Sequence, residues 1–264
     1  GTLIDRHGEI LEGTSRENFT LKSPYKLKMY QCNSAKDYSD LIHYSNADVV
    51  INLLRGEKAG DFIIHESILR ACKLKEIFYC YASSALALDA YGYTHKLTED
   101  LDARARSDYG VFKARCEEKI LNETSMRSLI LRFSSIQGWP SHKVARNELF
   151  CRKIISGEKV FVDRGVVQNR LYDQDFVNMI LILLKDRKTG VYHLGASDSS
   201  EEFYFLKKIC KRFNLDDRLV LQGNEKLVNA NLAVDKFLQE YPAYSFSEND
   251  TLDKLVANAP LWLR

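Results

Sequence analysis

The chain has 264 residues, with 38 Lys or Arg against 36 Asp or Glu. This near-neutral balance leaves no footprint for nucleic acid or an anionic membrane surface, and no apolar run approaches the roughly 18 residues of a membrane span. The length suits one domain, or one domain with a satellite lobe. Six cysteines (Cys32, Cys72, Cys80, Cys116, Cys151 and Cys210) form no C-x-x-C pair, and several fall in apolar runs where a reduced thiol behaves as a small hydrophobe. A cytoplasmic location is therefore expected, and no signal-peptide pattern, repeat or low-complexity linker interrupts that reading.

In chain order, residues 8–14 read as a short strand that breaks at Thr14, Ser15 and Arg16, and residues 25–32 read as a second with alternating character. A polar helix follows over 36–44. The unbroken apolar run 47–54 has the look of a strand buried on both faces of a parallel sheet. Apolar residues recur near helical period over 61–74, and a second buried-looking strand, 76–82, ends in Ser83 and Ser84. A polar loop with His95, Glu99 and Asp100 leads to a helix over 107–121, N-capped by Ser107, with Phe112, Cys116 and Ile120 as its inward stripe. A strand over 128–133 runs out to Gly138. Helices and strands continue to alternate through 145–156, 159–162, the helix ending near Leu184, 190–195, 201–213, 219–221 and 234–240. Such alternation predicts a doubly wound α/β sheet whose ligands sit at the carboxyl ends of its strands.

Within the helix over 107–121, Tyr109 and Lys113 stand four residues apart and so share one face. A phenol titrates near ~10, and an ammonium held beside it favours the phenolate, which makes the pair a proton-transfer device in outline. Tyr and Lys at this spacing are also common on ordinary amphipathic helices, so the surroundings decide. Similarly, Ser83 and Ser84 read either as hydroxyls satisfying a strand end or as groups that orient a substrate.

Four landmarks occur in order: Asp48-Val-Val-Ile-Asn52, Ser83-Ser84-Ala85, Tyr109-Gly110-x-x-Lys113, and Leu131-Arg132 leading to Gly138. Together they resemble the extended short-chain dehydrogenase/reductase family, which includes the sugar-nucleotide epimerases and dehydratases. The resemblance spans nearly the whole chain, and Val191-Tyr-His-Leu-Gly195 and Leu232-Ala-Val-Asp-Lys-Phe237 look most like its dTDP-4-dehydrorhamnose reductase branch. It implies a Rossmann-type domain over 1–140, to which 171–195 returns, and a small substrate-binding lobe from 141–170 and 196–264. It also implies a nicotinamide cofactor and a nucleotide-linked sugar as substrate, and is compatible with a homodimer.

By position, Tyr109 would donate a proton to the substrate oxygen, Lys113 would lower the Tyr109 pKa and bind the nicotinamide ribose, and Ser84 would polarise the carbonyl. Ser84 is preferred to Ser83 because the family residue precedes a small apolar one. Ser15 and Arg16 stand where an acidic residue would meet the ribose 2′-hydroxyl of NAD and an arginine the 2′-phosphate of NADP, so NADP is expected, with NAD the alternative. Arg170 is a candidate for the substrate pyrophosphate, or else a surface charge, with Asp175 beside it as a helix cap. The six histidines show no metal-ligand spacing.

The glycine fingerprint of the cofactor loop is missing, since a motif serving Arg16 would begin before residue 1. A central strand is expected to be missing with it, leaving neighbouring backbone edges exposed. Ser84 is followed directly by Ala85-Leu86-Ala87, without the acidic pair a dehydratase would need there, and no Cys or His lies between 83 and 88, as an epimerase-reductase would want. NADPH-dependent reduction of a nucleotide-linked 4-keto sugar needs the least additional machinery. An NAD-using epimerase and a non-catalytic dinucleotide sensor are the alternatives.

Overall fold

The apolar runs of the first half become the middle of a seven-stranded sheet. The computed structural model describes residues 2–4, 10–15, 26–56, 58, 60–92, 96–140 and 144–263. The sheet comprises β1 (Thr2–Ile4), β2 (Ile10–Ser15), β3 (Lys26–Gln31), β4 (Val49–Asn52), β5 (Phe78–Ala82) and β6 (Ser128–Phe133), joined by β10 (Gly190–Leu194). Its spatial order, β3-β2-β1-β4-β5-β6-β10, is the 3-2-1-4-5-6 order of a Rossmann-type sheet with one strand added. β4, β5 and β6 run parallel to one another, as do β2 and β3.

The slot expected to stand empty is filled. Thr2, Leu3 and Ile4 pair with Ile51, Val50 and Val49 on one side and with Gly13, Glu12 and Leu11 on the other, antiparallel to both. A short strand of opposite direction thus covers the backbone edges that a missing strand would leave open. Residues 5–9, which follow it, lie outside the described residues.

Helices α1 (Ala35–Tyr44), α2 (Asp61–Leu74) and α3 (Asp108–Leu121) accompany this sheet. α1 begins in a capping box between Ser34 and Asp37, and α3 at the predicted cap, Ser107 Oγ accepting from Gly110 N. Ile68, Leu69, Cys72, Tyr79, Cys116, Ile120 and Ile130 form the shared core. Cys116 and Ile120 occupy it as predicted, whereas Phe112 packs at its margin. The inward face of α3 also carries two charges, Lys113 and Glu117, and these define the site described below. All six cysteines are free and buried.

The chain forms two compact units: Gly1–Leu88, Asp102–Arg132 and Lys185–Tyr192 in the first, and Asp89–Leu101, Phe133–Leu184 and His193–Arg264 in the second. The second unit holds β7 (Ser135–Gln137), α4 (Arg146–Ile155), β8 (Val160–Gln168), β9 (Arg170–Tyr172), α5 (Asp173–Lys185), β11 (Ser200–Glu201), α6 (Glu202–Arg212), β12 (Val220–Ala230), α7 (Asp235–Glu240) and α8 (Glu248–Ala257). This division differs from the expected one at 89–101, 133–140, 171–184 and 193–195; at 133–140 and 171–184 β7 leaves the main sheet to pair with β9. β12 is longer than the strand expected over 219–221. It reads through Gly223 and Asn224 by register shifts against β8, where a Cβ on Gly223 would sit 3.3 Å from the Val162 backbone. α8 was not foreseen, although its capping box, Ser247 with Asp250, precedes the buried Leu252 and Leu255.

Candidate active site

All three predicted catalytic residues lie in the first unit, at the carboxyl end of β5 and the start of α3. Ser83 and Ser84 follow β5 and lead into a 3-10 turn, Ala85–Leu88, against which α3 packs. Gly110 permits that approach. A Cβ there would lie 2.2 Å from the Leu86 carbonyl oxygen and 2.8 Å from the Ala105 side chain. A Gly110→Ala variant should therefore force α3 away from the turn, destabilising the protein by about 1–3 kcal/mol as overpacking does. Denaturant unfolding would read this as a lower midpoint, and an unchanged midpoint would contradict the close approach.

Lys113 is almost fully enclosed, at 2% exposure. Its Nζ donates to the Leu54 and Ala82 carbonyl oxygens, both at 2.6 Å. It also lies over the rings of Tyr81 and Tyr109, 4.8 and 5.6 Å from their centroids. Burial pulls its pKa down from 10.5 to about 8; Cys116 and Glu117 oppose that shift and Arg55 adds to it. The loop carrying Leu54 is held on α3 by Gly56, whose φ of +82° and contact with the Phe112 ring both exclude a side chain. An ammonium has three N–H donors, so the two carbonyls leave one for a ligand hydroxyl at the carboxyl ends of β4 and β5. That end of an open α/β sheet is where dinucleotides bind.

The two serines differ in what they bond. The Ser83 hydroxyl donates to Glu117 Oε1 within the core, while its backbone N–H donates to the Leu131 carbonyl at 2.8 Å. Ser84 Oγ accepts from Leu86 N at 3.2 Å. That bond uses an oxygen lone pair and leaves the hydroxyl proton for another acceptor. Below them, Glu117 receives Arg132 through Nε at 3.0 Å and Nη2 at 2.7 Å, with both residues at or below 1% exposure.

The remaining predicted residues are elsewhere. Ser15 closes β2, where it pairs with Gln31, and Arg16 lies outside the described residues. Arg170 is neither a surface charge nor open to a pyrophosphate. At 0% exposure, its Nη1 donates to Glu248 Oε2 at 2.9 Å and to the Ser200 carbonyl at 3.0 Å, its Nη2 donates to Glu202 Oε2 at 2.7 Å, and Phe205 lies 4.3 Å away. A phosphate ligand would have to displace two carboxylates from a closed core, so Arg170 ties β9 to α6 and α8 instead. Asp175 is paired with Lys254 at 2.5 Å, within α5 and not as its cap. Sequence reasoning also missed Glu117, although a carboxylate four residues after Lys113 on the apolar face was a readable signal. It missed Asn52 and His65 as well, which meet only where α2 packs against the sheet.

By sequence the chain matches no protein-family model and no curated protein. By structure it is similar to dTDP-4-dehydrorhamnose reductase from Bacillus anthracis in complex with NADP, with a TM-score of 0.76 and 16% identity over 93% of this chain and 96% of that one. dTDP-4-dehydrorhamnose reductase from Yersinia enterocolitica gives 0.75 at 17% identity, covering 90% and 92%. dTDP-glucose 4,6-dehydratase from Bacillus anthracis in complex with NAD gives 0.73 at 15%, covering 89% and 81%. The strand order, the helix carrying Tyr109 and Lys113, and these likenesses together establish that the chain has the fold of the extended short-chain dehydrogenases/reductases.

Proposed function

We propose that the chain is an NAD(P)-dependent oxidoreductase acting on a nucleotide-linked sugar, and specifically that it reduces a 4-keto group. The observation that carries this reading is the placement of Lys113 Nζ, 5.6 Å from the centre of the Tyr109 ring and gripped by two carbonyls at the carboxyl ends of neighbouring strands. When bound, a dihydronicotinamide would supply the hydride for the substrate carbon. Tyr109 gives its phenolic proton to the substrate oxygen as charge develops there. Lys113 holds a positive charge beside the phenol, favouring the phenolate left after transfer, and offers its remaining N–H to the cofactor ribose. Ser84 donates its uncommitted hydroxyl proton to the carbonyl oxygen.

The structural relatives include reductases, a dehydratase and an epimerase. Reduction is favoured among these because the turn after Ser84 presents buried Ala85, Ala87 and Leu88, which offer no acid or base. Use of NADPH rests on Ser15 and Arg16 in the sequence, and the six buried thiols suit a reducing cytoplasm. Among the described residues no helix is long and apolar enough to cross a membrane, and no group of His, Cys, Asp or Glu is placed to hold a metal ion.

The test is to titrate the protein with NADPH and NADH by nicotinamide fluorescence, then to incubate it with a panel of nucleotide-linked 4-keto sugars. NADPH binding and its stoichiometric oxidation with sugar reduction are expected. Redox-neutral inversion of a sugar with NAD would replace reduction by epimerisation. Binding of neither cofactor would overturn the enzymatic reading.

A further inference from the structure

One buried histidine is connected to Lys113 through a continuous run of hydrogen bonds. His65 of α2, Asn52 at the end of β4, and Tyr79 of β5 are each at 0% exposure. Asn52 Nδ2 donates to Tyr79 OH at 2.8 Å and lies 3.3 Å from His65 Nδ1, which is 3.2 Å from Tyr79 OH. The other end of the same amide faces the loop, where Asn52 Oδ1 accepts from Leu54 N at 2.9 Å. The carbonyl of Leu54 then accepts from Lys113 Nζ at 2.6 Å.

The chemistry of these partners fixes the state of the ring. An amide nitrogen can only donate, so Nδ1 must accept, and His65 is neutral with its proton on Nε2. The same amide orientation is required from the other side, where the Leu54 N–H can only donate and so meets the Asn52 oxygen, leaving the amide nitrogen toward the ring. A proton on Nδ1 would oppose the Asn52 amide and break the run. Burial, followed by the charge of Lys113, holds the His65 pKa down at about 4, which keeps Nδ1 an acceptor. Nε2 finds no hydrogen-bond partner of ordinary length and faces the backbone of Cys116.

We propose that His65 is a positioning residue for Lys113: through Asn52 it locks the Leu54 peptide so that the carbonyl is aimed at the ammonium. The inference rests on the proposed role of Lys113, but its geometry belongs to the protein without substrate or cofactor. The Leu54 carbonyl stabilises the charged form, so releasing it lowers the Lys113 pKa. The other groups facing Lys113 are Cys116 and Glu117 of its own helix, Arg55 of the loop, and the rings of Tyr81 and Tyr109. Tyr81 also packs against His65, with 5.1 Å between ring centroids, so the Tyr79→Phe variant, which leaves the His65 ring in place, separates the effect of the Leu54 carbonyl from that contact.

The test is an NMR titration of Lys113 in protein labelled with carbon-13 at lysine, without ligands. His65→Leu keeps the bulk and removes the acceptor, and should lower the Lys113 pKa by about one unit. His65→Asn places an amide oxygen near the position of Nδ1 and should restore the wild-type value. Tyr79→Phe, which keeps the ring and removes the hydroxyl, should shift Lys113 in the same direction as His65→Leu and serves if that variant does not fold. No shift in either variant, or equal shifts in His65→Leu and His65→Asn, would overturn the proposal. Failure of catalysis with this pattern of shifts intact would instead count against the proposed function.

Discussion

Replacing Tyr109 by Phe is expected to lower turnover about 10²- to 10⁴-fold, the usual contribution of a positioned general acid. The ring that lies beside Lys113 is retained and only the phenolic proton is lost. Because the phenol acts as the substrate oxygen gains charge, kcat and kcat/KM should fall together, as for an interaction made in the transition state. Cofactor titration should keep its midpoint. The pH profile of the unmodified protein supplies a second reading. Lys113 is charged below about 8 and neutral above it. Turnover should therefore fall as pH rises through that value, since the charge that favours the phenolate is lost on the alkaline side. Steady-state rates with a reducible sugar nucleotide check both points, and unchanged turnover in the Phe variant would remove Tyr109 from the mechanism.

Glu117→Leu or Arg132→Leu alone should destabilise the protein by about 3–5 kcal/mol, because each leaves the other charge buried without a partner. The pair is at or below 1% exposure and joined by several short bonds, and Glu117 also receives the Ser83 hydroxyl. Removing both charges together should cost less than either single change, since an apolar pair of similar volume avoids the desolvation that the ion pair must offset. Denaturant unfolding of the two single variants and the double variant measures this directly. Additive losses would show that the two charges do not act as a unit. The pair ties α3 to β6 and, through the Ser83 hydroxyl, to the end of β5, so a looser α3 would also release the end of the helix that carries Tyr109.

The Tyr109 and Lys113 pairing was legible because helical spacing is a local property: residues four apart share a face wherever the helix lies. The strands over 47–54 and 76–82 were legible for a related reason, as a parallel strand buried on both faces must be apolar throughout its length. The alternation of strands and helices and the cap at Ser107 followed from the same local rules, and the order of landmarks carried the family resemblance. What failed were inferences about where polar side chains go. Arg170 reads as a ligand-binding cation beside Asp175, yet its charge is answered by Glu202 and Glu248, 32 and 78 residues further along the chain. Register shifts likewise hid most of β12, because a strand that bulges past Gly223 and Asn224 has the local composition of a turn.

The sequence by itself determined the sheet class, the capped helix and the face that Tyr109 and Lys113 share. Only the tertiary structure decided which serine hydroxyl is consumed in the core, which carbonyls grip Lys113, and that Thr2, Leu3 and Ile4 fill the slot beside β4 antiparallel. The physical reason is range. Periodicity and capping act between residues a few positions apart, whereas buried polar groups must find partners wherever folding brings them, and a single chain read in order does not show which distant groups will meet.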